Sequence, residues 1–323
     1  MSIKTIGDLY CVNGKHLNDL YKNKLSGFHD WRRTLLSHGY YVNVDNIGPH
    51  MSLDETGLSG DQVYTILTNK DGHGGKGTLA AIIPGTKSDV IIDSMLQTIP
   101  RAVRVRVKEI TTDLSPSMHY IANETFPCAE LVADRFHVQQ LFNDAMNDLR
   151  LEIRRQSLDE ENSLREKAEK DGVHFEMQRY ENGETMRLIL RRSKHVLMRD
   201  QSQWSIEQKA RINILFREHK VLSDAYDLMA ELRTIYNRKH GKYKAGIELA
   251  RWFDKVKGLG RKAFNTVCRT MKNYIGPITN YFNRRATNAS AESFNSKIKL
   301  FRSQMRGVRD NAFFIFRLAM LFA

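Results

Sequence analysis

Two aspartates stand where β-prone runs give out. Asp54 closes His50-Met51-Ser52-Leu53-Asp54, and Asp113 follows Lys108-Glu109-Ile110-Thr111-Thr112 directly before Ser115-Pro116. In a mixed α/β sheet, functional groups collect at strand ends, where loops expose them. If the two strands are neighbours, the carboxylates face each other, and like charges at that range repel and raise one pKa. A divalent metal resolves the conflict. Hard Mg²⁺ prefers oxygen ligands and keeps water positions open. Two such ions about 4 Å apart activate an attacking water or hydroxyl and stabilise the leaving oxygen of a phosphodiester. The plainer alternative makes one aspartate a helix cap and the other a loop acid.

A third acid should complete such a site. Residues 251–323 contain only Asp254, Glu292 and Asp310. Glu292 lies in the polar stretch Thr287-Asn288-Ala289-Ser290-Ala291-Glu292-Ser293-Phe294-Asn295, followed by Lys297, Lys299, Arg302 and Arg306. On a helix, Asn288, Glu292 and Asn295 share one face. A lone acid in a basic field suits a metal ligand beside bound DNA. A solvated acid paired with Lys299 or Arg285 is the alternative.

The elements that must position these groups follow from periodicity. Strands are expected at 50–54, 63–68, 78–83, 108–112 and 130–133, with helices at 88–97, from Ser115-Pro116, and from about Val138. Two nearby hairpin-type strands followed by two crossover units imply a mixed sheet flanked by helices. Residues 14–41 read as two short helices broken near Gly27, and most of 150–285 as helix. Residues 172–193 offer a hairpin instead, alternating around Asn182-Gly183. Gly276-Pro277 is the best boundary candidate after the insertion. Trp252 reads as core, with base stacking the alternative. The loop Gly72-His73-Gly74-Gly75-Lys76-Gly77 joins two strands, which makes it a hairpin loop and not a phosphate loop.

The composition limits the partners. Of 323 residues, 50 are Lys or Arg and 37 are Asp or Glu, a formal charge of +13. Residues 1–150 carry 15 basic and 17 acidic side chains, whereas 251–323 carry 15 basic and 3 acidic. So concentrated an excess is the footprint of a polyanion partner. There is no apolar run long enough to span a bilayer, no secretory signal, no Walker loop and no Gly-x-Ser-x-Gly elbow. Three scattered cysteines fit a reducing cytoplasm.

At these residues the chain resembles the DDE transposases of bacterial insertion sequences, most closely the ISL-three family. The resemblance rests on Leu53-Asp54-Glu55-Thr56, Thr111-Thr112-Asp113-Leu114-Ser115, Ala133-Asp134-Arg135-Phe136-His137-Val138 and Thr287-Asn288-Ala289-x-x-Glu292-Ser293-x-Asn295-x-x-Ile298-Lys299, and it continues through Arg306-Gly307-Val308-Arg309. It implies an α/β fold with an RNase H-like mixed sheet, a long and mainly helical insertion, and a short helical N-terminal segment. The implied division is 1–48, a candidate helix-turn-helix remnant; 49–150, the first part of the core; 151–285, the insertion; and 286–323, the helices completing the core. It also implies that Asp54, Asp113 and Glu292 are a catalytic triad binding two Mg²⁺ ions, replaceable by Mn²⁺. Asp134, His137, Asn288 and Asn295 are expected to support the ligands or the DNA. Lys297, Lys299, Arg302, Arg306 and Arg309 are expected to hold backbone phosphates.

The expected partners are double-stranded DNA, at transposon ends and at the target, and a second copy in a homodimer on DNA. A separate N-terminal end-recognition polypeptide is one further expectation and a truncated chain the other, since family members usually begin with a zinc module and a longer helix-turn-helix region. Two rival readings share the fold: a metal-dependent nuclease or resolvase, and a domesticated non-catalytic DNA-binding protein.

Overall fold

The computed structural model describes residues 3–35, 38–59, 62–285, 289–304 and 310–323. Asn288, Arg306 and Arg309 lie outside the described residues. Internal packing divides the chain into two units, Met1–Asp134 with Arg285–Ala323, and Arg135–Arg284.

The first unit opens with α1 (Ile3–Leu9), α2 (Gly14–Leu20), a π-helical turn (Tyr21–Leu25) and α3 (Phe28–Leu35). Gly27 separates the last two at φ +73°, a conformation glycine adopts without a Cβ clash. The helical reading fails at residue 41. Tyr41–Val42 is a short strand, β1, paired antiparallel with Ile82 and Ala81. Both residues are buried, and a bulky aromatic beside a β-branched residue suits a pleated surface better than a helix.

There follow β2 (His50–Ser59), β3 (Gln62–Asn69), β4 (Leu79–Pro84), α4 (Ser88–Thr98), α5 (Arg101–Arg104), β5 (Glu109–Thr112), α6 (Pro116–Thr125) and β6 (Glu130–Ala133). The six-stranded sheet has the order β1-β4-β3-β2-β5-β6. β2, β3 and β4 are antiparallel neighbours, while β5 and β6 join parallel to β2 and to each other. The mixed α/β sheet inferred from the sequence is therefore present, with one correction. Asp54 does not end its strand, because β2 continues to Ser59 against β3. What ends near Asp54 is the parallel ladder, whose last registered pair is Ser52 and Thr111.

The second unit is helical: α7 (Arg135–Lys170), α8 (Met186–Arg192), α9 (Ile206–Glu218), α10 (Lys220–Asn237), α11 (Lys242–Gly258), α12 (Lys262–Asn273) and α13 (Ile275–Arg284). The sequence reading carried the core to residue 150, whereas packing changes unit at Arg135, the first residue of α7. Trp252 is fully buried edge-on to Phe142 (centroids 4.9 Å apart), and its indole N–H donates to the Leu228 carbonyl at 2.8 Å.

Residues 172–193 form no hairpin. The turn itself is present, with Gly183 at φ +76° and the Tyr180 N–H donating to the Glu184 carbonyl. Its flanks go elsewhere. Phe175 lies under the Arg165 guanidinium of α7, and α8 buries Ile189 and Leu190. Nor does Gly276-Pro277 break the chain. Pro277 falls in the first turn of α13, where a missing N–H costs nothing, and the unit boundary comes after Arg284.

The chain re-enters the first unit through α14 (Ala289–Gln304) and α15 (Asn311–Phe322). The sheet is buried on both faces. Met51, Leu53, Leu67 and Ile110 pack with Ile91 and Met95 of α4 and with Met118 and Ile121 of α6. Tyr64, Ile66 and Ile82 pack with Phe294 and Ile298 of α14 and with Phe314 and Leu318 of α15. Phe28 of α3 joins Phe313 and Phe316 of α15, so the N-terminal helices are part of this unit. Among the described residues no helix is long and apolar enough to cross a membrane.

Candidate active site

Strand parity aims the acids. Met51 and Leu53 point toward α4 and α6, so Asp54, one residue on, points toward α14. The parallel register pairs His50 with Glu109 and Ser52 with Thr111. Continued by two residues, it sets Asp54 beside Asp113 on the same face. α14 meets β2 there: the Asn295 amide donates to Asp54 Oδ2 at 2.7 Å. Asp54 Oδ1 accepts the Glu55 N–H at 2.8 Å. Glu292 is exposed on α14, one turn before Asn295 and on the same helical face. The structure thus brings Asp54, Asp113 and the Glu292 segment of α14 to one end of the β2–β5 ladder.

Asp113 is fixed by the start of α6. Its Oδ1 accepts the Ser115 N–H at 3.0 Å. Its carbonyl oxygen accepts from Thr112 Oγ1 at 2.9 Å and lies 3.0 Å from His119 Nε2. His119 is buried, and burial lowers its pKa, against a smaller opposing pull from the Asp113 carbonyl and charge. A neutral ring that donates through Nε2 satisfies this geometry. Sequence reading missed His119. The available signal was a histidine one turn into a Ser-Pro helix that begins straight after a strand-end acid.

Glu55 was missed as well. Its carboxyl is raised above the usual range, first by burial and then by the charges of Asp113 and Asp54. Negative potential therefore accumulates at this end of the sheet, and the donors are all hard carboxylate oxygens, the set that divalent Mg²⁺ or Mn²⁺ takes. Among the described residues no three His, Cys, Asp or Glu side chains already converge to metal-ligand distance. Asp54 Oδ2 is held by Asn295 and Asp113 Oδ1 by the Ser115 amide.

The basic residues divide. Lys299 is exposed on α14 and Arg302 half-buried. Lys297 donates to the Gly74 carbonyl at 2.6 Å and ties the glycine-rich β3–β4 loop to α14. Gly74 stands at φ +72°, and a Cβ there would lie 3.0 Å from Lys297 Nζ. The base of the same loop is held by Lys70, which pairs with the buried Glu109 at 2.9 Å and also contacts Thr111 Oγ1. Exposed His73 and Lys76 are left at its tip.

Asp134 is 2% exposed, and its N–H donates to the Thr112 carbonyl at 2.9 Å, extending the β5–β6 pairing. His137 lies in the other unit, near the start of α7, edge-on to its neighbour Phe136.

A transposase family profile, that of the ISL-three DDE group, matches residues 51–318. The transposase for insertion sequence element IS1001 of Bordetella parapertussis is 22% identical over 274 residues, which are 84% of this chain and 61% of that protein. The chain thus spans about three-fifths of the length of this curated relative. No solved structure matches it. With the profile covering all six residues of the acid site just described, from Asp54 and Glu55 through Asp113 and His119 to Glu292 and Asn295, the chain belongs to the ISL-three family of DDE transposases.

Proposed function

We propose that this protein cuts DNA at the ends of an insertion sequence and joins the freed 3′-hydroxyl to target DNA. One observation carries the reading: Asn295, on the face of α14 that carries Glu292, is bonded to Asp54 just past the last pair of the parallel β2–β5 ladder, and Asp113 directly follows β5. The strand order, with three antiparallel strands extended by two parallel ones, supports an RNase H-like core.

In this reading Asp54, Asp113 and Glu292 hold divalent metal, two Mg²⁺ ions or Mn²⁺ in their place. When bound, the metal supplies Lewis-acid stabilisation of charge on the phosphodiester oxygens and a nucleophile at neutral pH. The chain's own residues do the positioning. Asn295 orients the Asp54 carboxylate, and His119 with Thr112 fixes the backbone of Asp113. Lys299 and Arg302, with Arg306 and Arg309, hold backbone phosphates, and such contacts set register without reading sequence. Asp134, His137 and Asn288 support the acids or the DNA.

The remaining parts of the reading follow from the reaction. Two transposon ends must be brought together, so a homodimer on DNA is proposed, with residues 1–48 a helix-turn-helix remnant. The protein is proposed to work in the cytoplasm.

The test is cleavage and strand transfer on labelled duplexes carrying the ends of the encoding element, with Mg²⁺ or Mn²⁺. Wild type is compared with Asp54→Asn, Asp113→Asn and Glu292→Gln. Metal-dependent cutting and joining that disappears in each variant is the expected result. Cutting without joining would favour a nuclease, and full activity in all three variants would sink the site.

A further inference from the structure

We infer that the solvent face of α12 in the helical insertion is a contact surface for the DNA backbone. The inference rests on the reading of the chain as a DNA-acting protein and adds to it a surface away from the carboxylates.

Between Asp254 and Glu292 the sequence holds eight basic side chains and no carboxylate. α12 lies within this stretch and is sharply two-sided. Phe264, Val267, Cys268 and Met271 are buried. The exposed side presents Lys262, Asn265, Thr266, Arg269 and Lys272. A basic face on a soluble helix is ordinarily solvated and interleaved with acids, as along α7, where Arg165 pairs with Glu161. α12 has no acid to interleave.

Neighbouring cations are already engaged. Arg261 pairs with Glu152 at 3.2 Å, Lys255 with Glu231 at 2.6 Å, and the Lys272 ammonium lies 5.2 Å from the Phe253 ring centroid. Among the described residues, Lys262 and Arg269 are exposed and enter no ion pair. Seven residues apart, they lie on one stripe of the helix, separated by about 10.5 Å of rise. A DNA strand presents a phosphate roughly every 3.4 Å along its axis, so the stripe spans about three. Asn265 and Thr266 lie on the same exposed side, and their side chains are among the neutral donors that contact phosphate. The partner is not a lipid surface, because membrane-binding helices bury an apolar face in the headgroup region, and the large apolar side chains of α12 are all packed inward.

The test reads binding alone. The full chain, without divalent metal, is titrated against a labelled duplex of arbitrary sequence over a salt series. Wild type is compared with Lys262→Gln/Arg269→Gln and with a charge-matched control, Lys167→Gln/Lys170→Gln, on the exposed end of α7. The α12 variant should lower the salt slope by about two, one for each phosphate no longer held, and weaken binding alike for every sequence. The control should leave the slope unchanged. An unaltered slope in the α12 variant, or an equal fall in the control, overturns the inference. Loss of binding to anionic phospholipid vesicles with duplex binding intact would also overturn it, in favour of a membrane surface. Because no cleavage is read, a wild type that never cuts or joins DNA defeats the transposase reading and leaves this one standing.

Discussion

Asn295 and Asp54, 241 positions apart in sequence, are joined by a 2.7 Å hydrogen bond from the side-chain amide to Oδ2. This bond fixes the carboxylate of a mid-strand aspartate to the helix that carries Glu292. Supporting residues around metal-binding carboxylates typically contribute 10–100-fold to activity. Asn295→Ala should therefore lower the rate of DNA cleavage by about that factor, with duplex binding and thermal midpoint little changed. A variant of wild-type rate would show that Asp54 needs no orienting partner.

Phe294, beside Asn295, is fully buried against the sheet with Ile298, Phe314 and Leu318. Phe294→Ala should cost about 3–5 kcal/mol, from forfeited transfer energy and the cavity left behind. Denaturant midpoints would measure this, and Phe294→Leu should recover most of the loss. Both neighbours are thus expected to reduce activity, but only Phe294 through stability.

Lys297 makes a different prediction from its basic neighbours. Its ammonium is committed to the Gly74 carbonyl. Lys297→Gln should speed hydrogen exchange across residues 73–77 while changing the salt slope of duplex binding by less than one. Lys299→Gln should lower the slope by about one and leave the loop's exchange alone. If Lys297→Gln behaves as Lys299→Gln does, the clamp is incidental.

Glu184 is a buried, arginine-paired acid of the helical unit. It is 7% exposed and accepts from Arg211 at 2.7 and 2.8 Å, from Arg192 at 2.6 Å and from Asn182 at 3.0 Å. The Arg211 hydrogen bonds hold its carboxyl below the usual range, burial opposes them, and Arg192 adds to the lowering. A folded-state pKa below the unfolded value, about 4.3, stabilises fully above that pH. The contribution is then lost as pH falls through the folded value. Urea titrations should show wild-type stability falling on acidification below about pH 4.3. Glu184→Gln should cost about 3–5 kcal/mol at neutral pH, as for a broken buried pair, and should flatten the acid limb. An acid limb unchanged in the variant would assign the loss to other carboxylates.

Much of the sheet was legible because its strands carry near-continuous apolar runs cut by Gly, Pro and Asn. Met51 to Leu53, Val63 to Thr68 and Leu79 to Ile83 are such runs, and a strand buried on both faces needs nothing subtler. The acids at 54 and 113 stood out because a charged residue beside such a run has few structural uses. What escaped notice depended on spatial partners that spacing does not reveal. β1 has only two residues, and its pairing partner lies forty positions on. His119 is marked only by its place one turn into the Ser-Pro helix, and its contact with the Asp113 carbonyl is not spelled in the sequence. The false hairpin at 172–193 arose because alternation does not reveal that Phe175 stacks under Arg165 or that α8 buries Ile189. The Lys297 contact with the Gly74 carbonyl likewise joins residues 223 positions apart, which no local pattern announces.

The helical excursion between β6 and α14 has a consequence in time. The chain commits Asp54 and Asp113 early but supplies Glu292 and Asn295 only after 178 intervening positions. At about 5–20 residues per second, roughly ten to forty seconds of synthesis separate the two halves of the proposed acid set. A nascent chain still within that interval thus holds an aspartate pair with neither the third acid nor the amide that orients the first. On the function proposed above, competence to cut DNA is acquired only once α14 has been made, and a product terminated inside the helical unit would lack the third acid and its neighbouring amide.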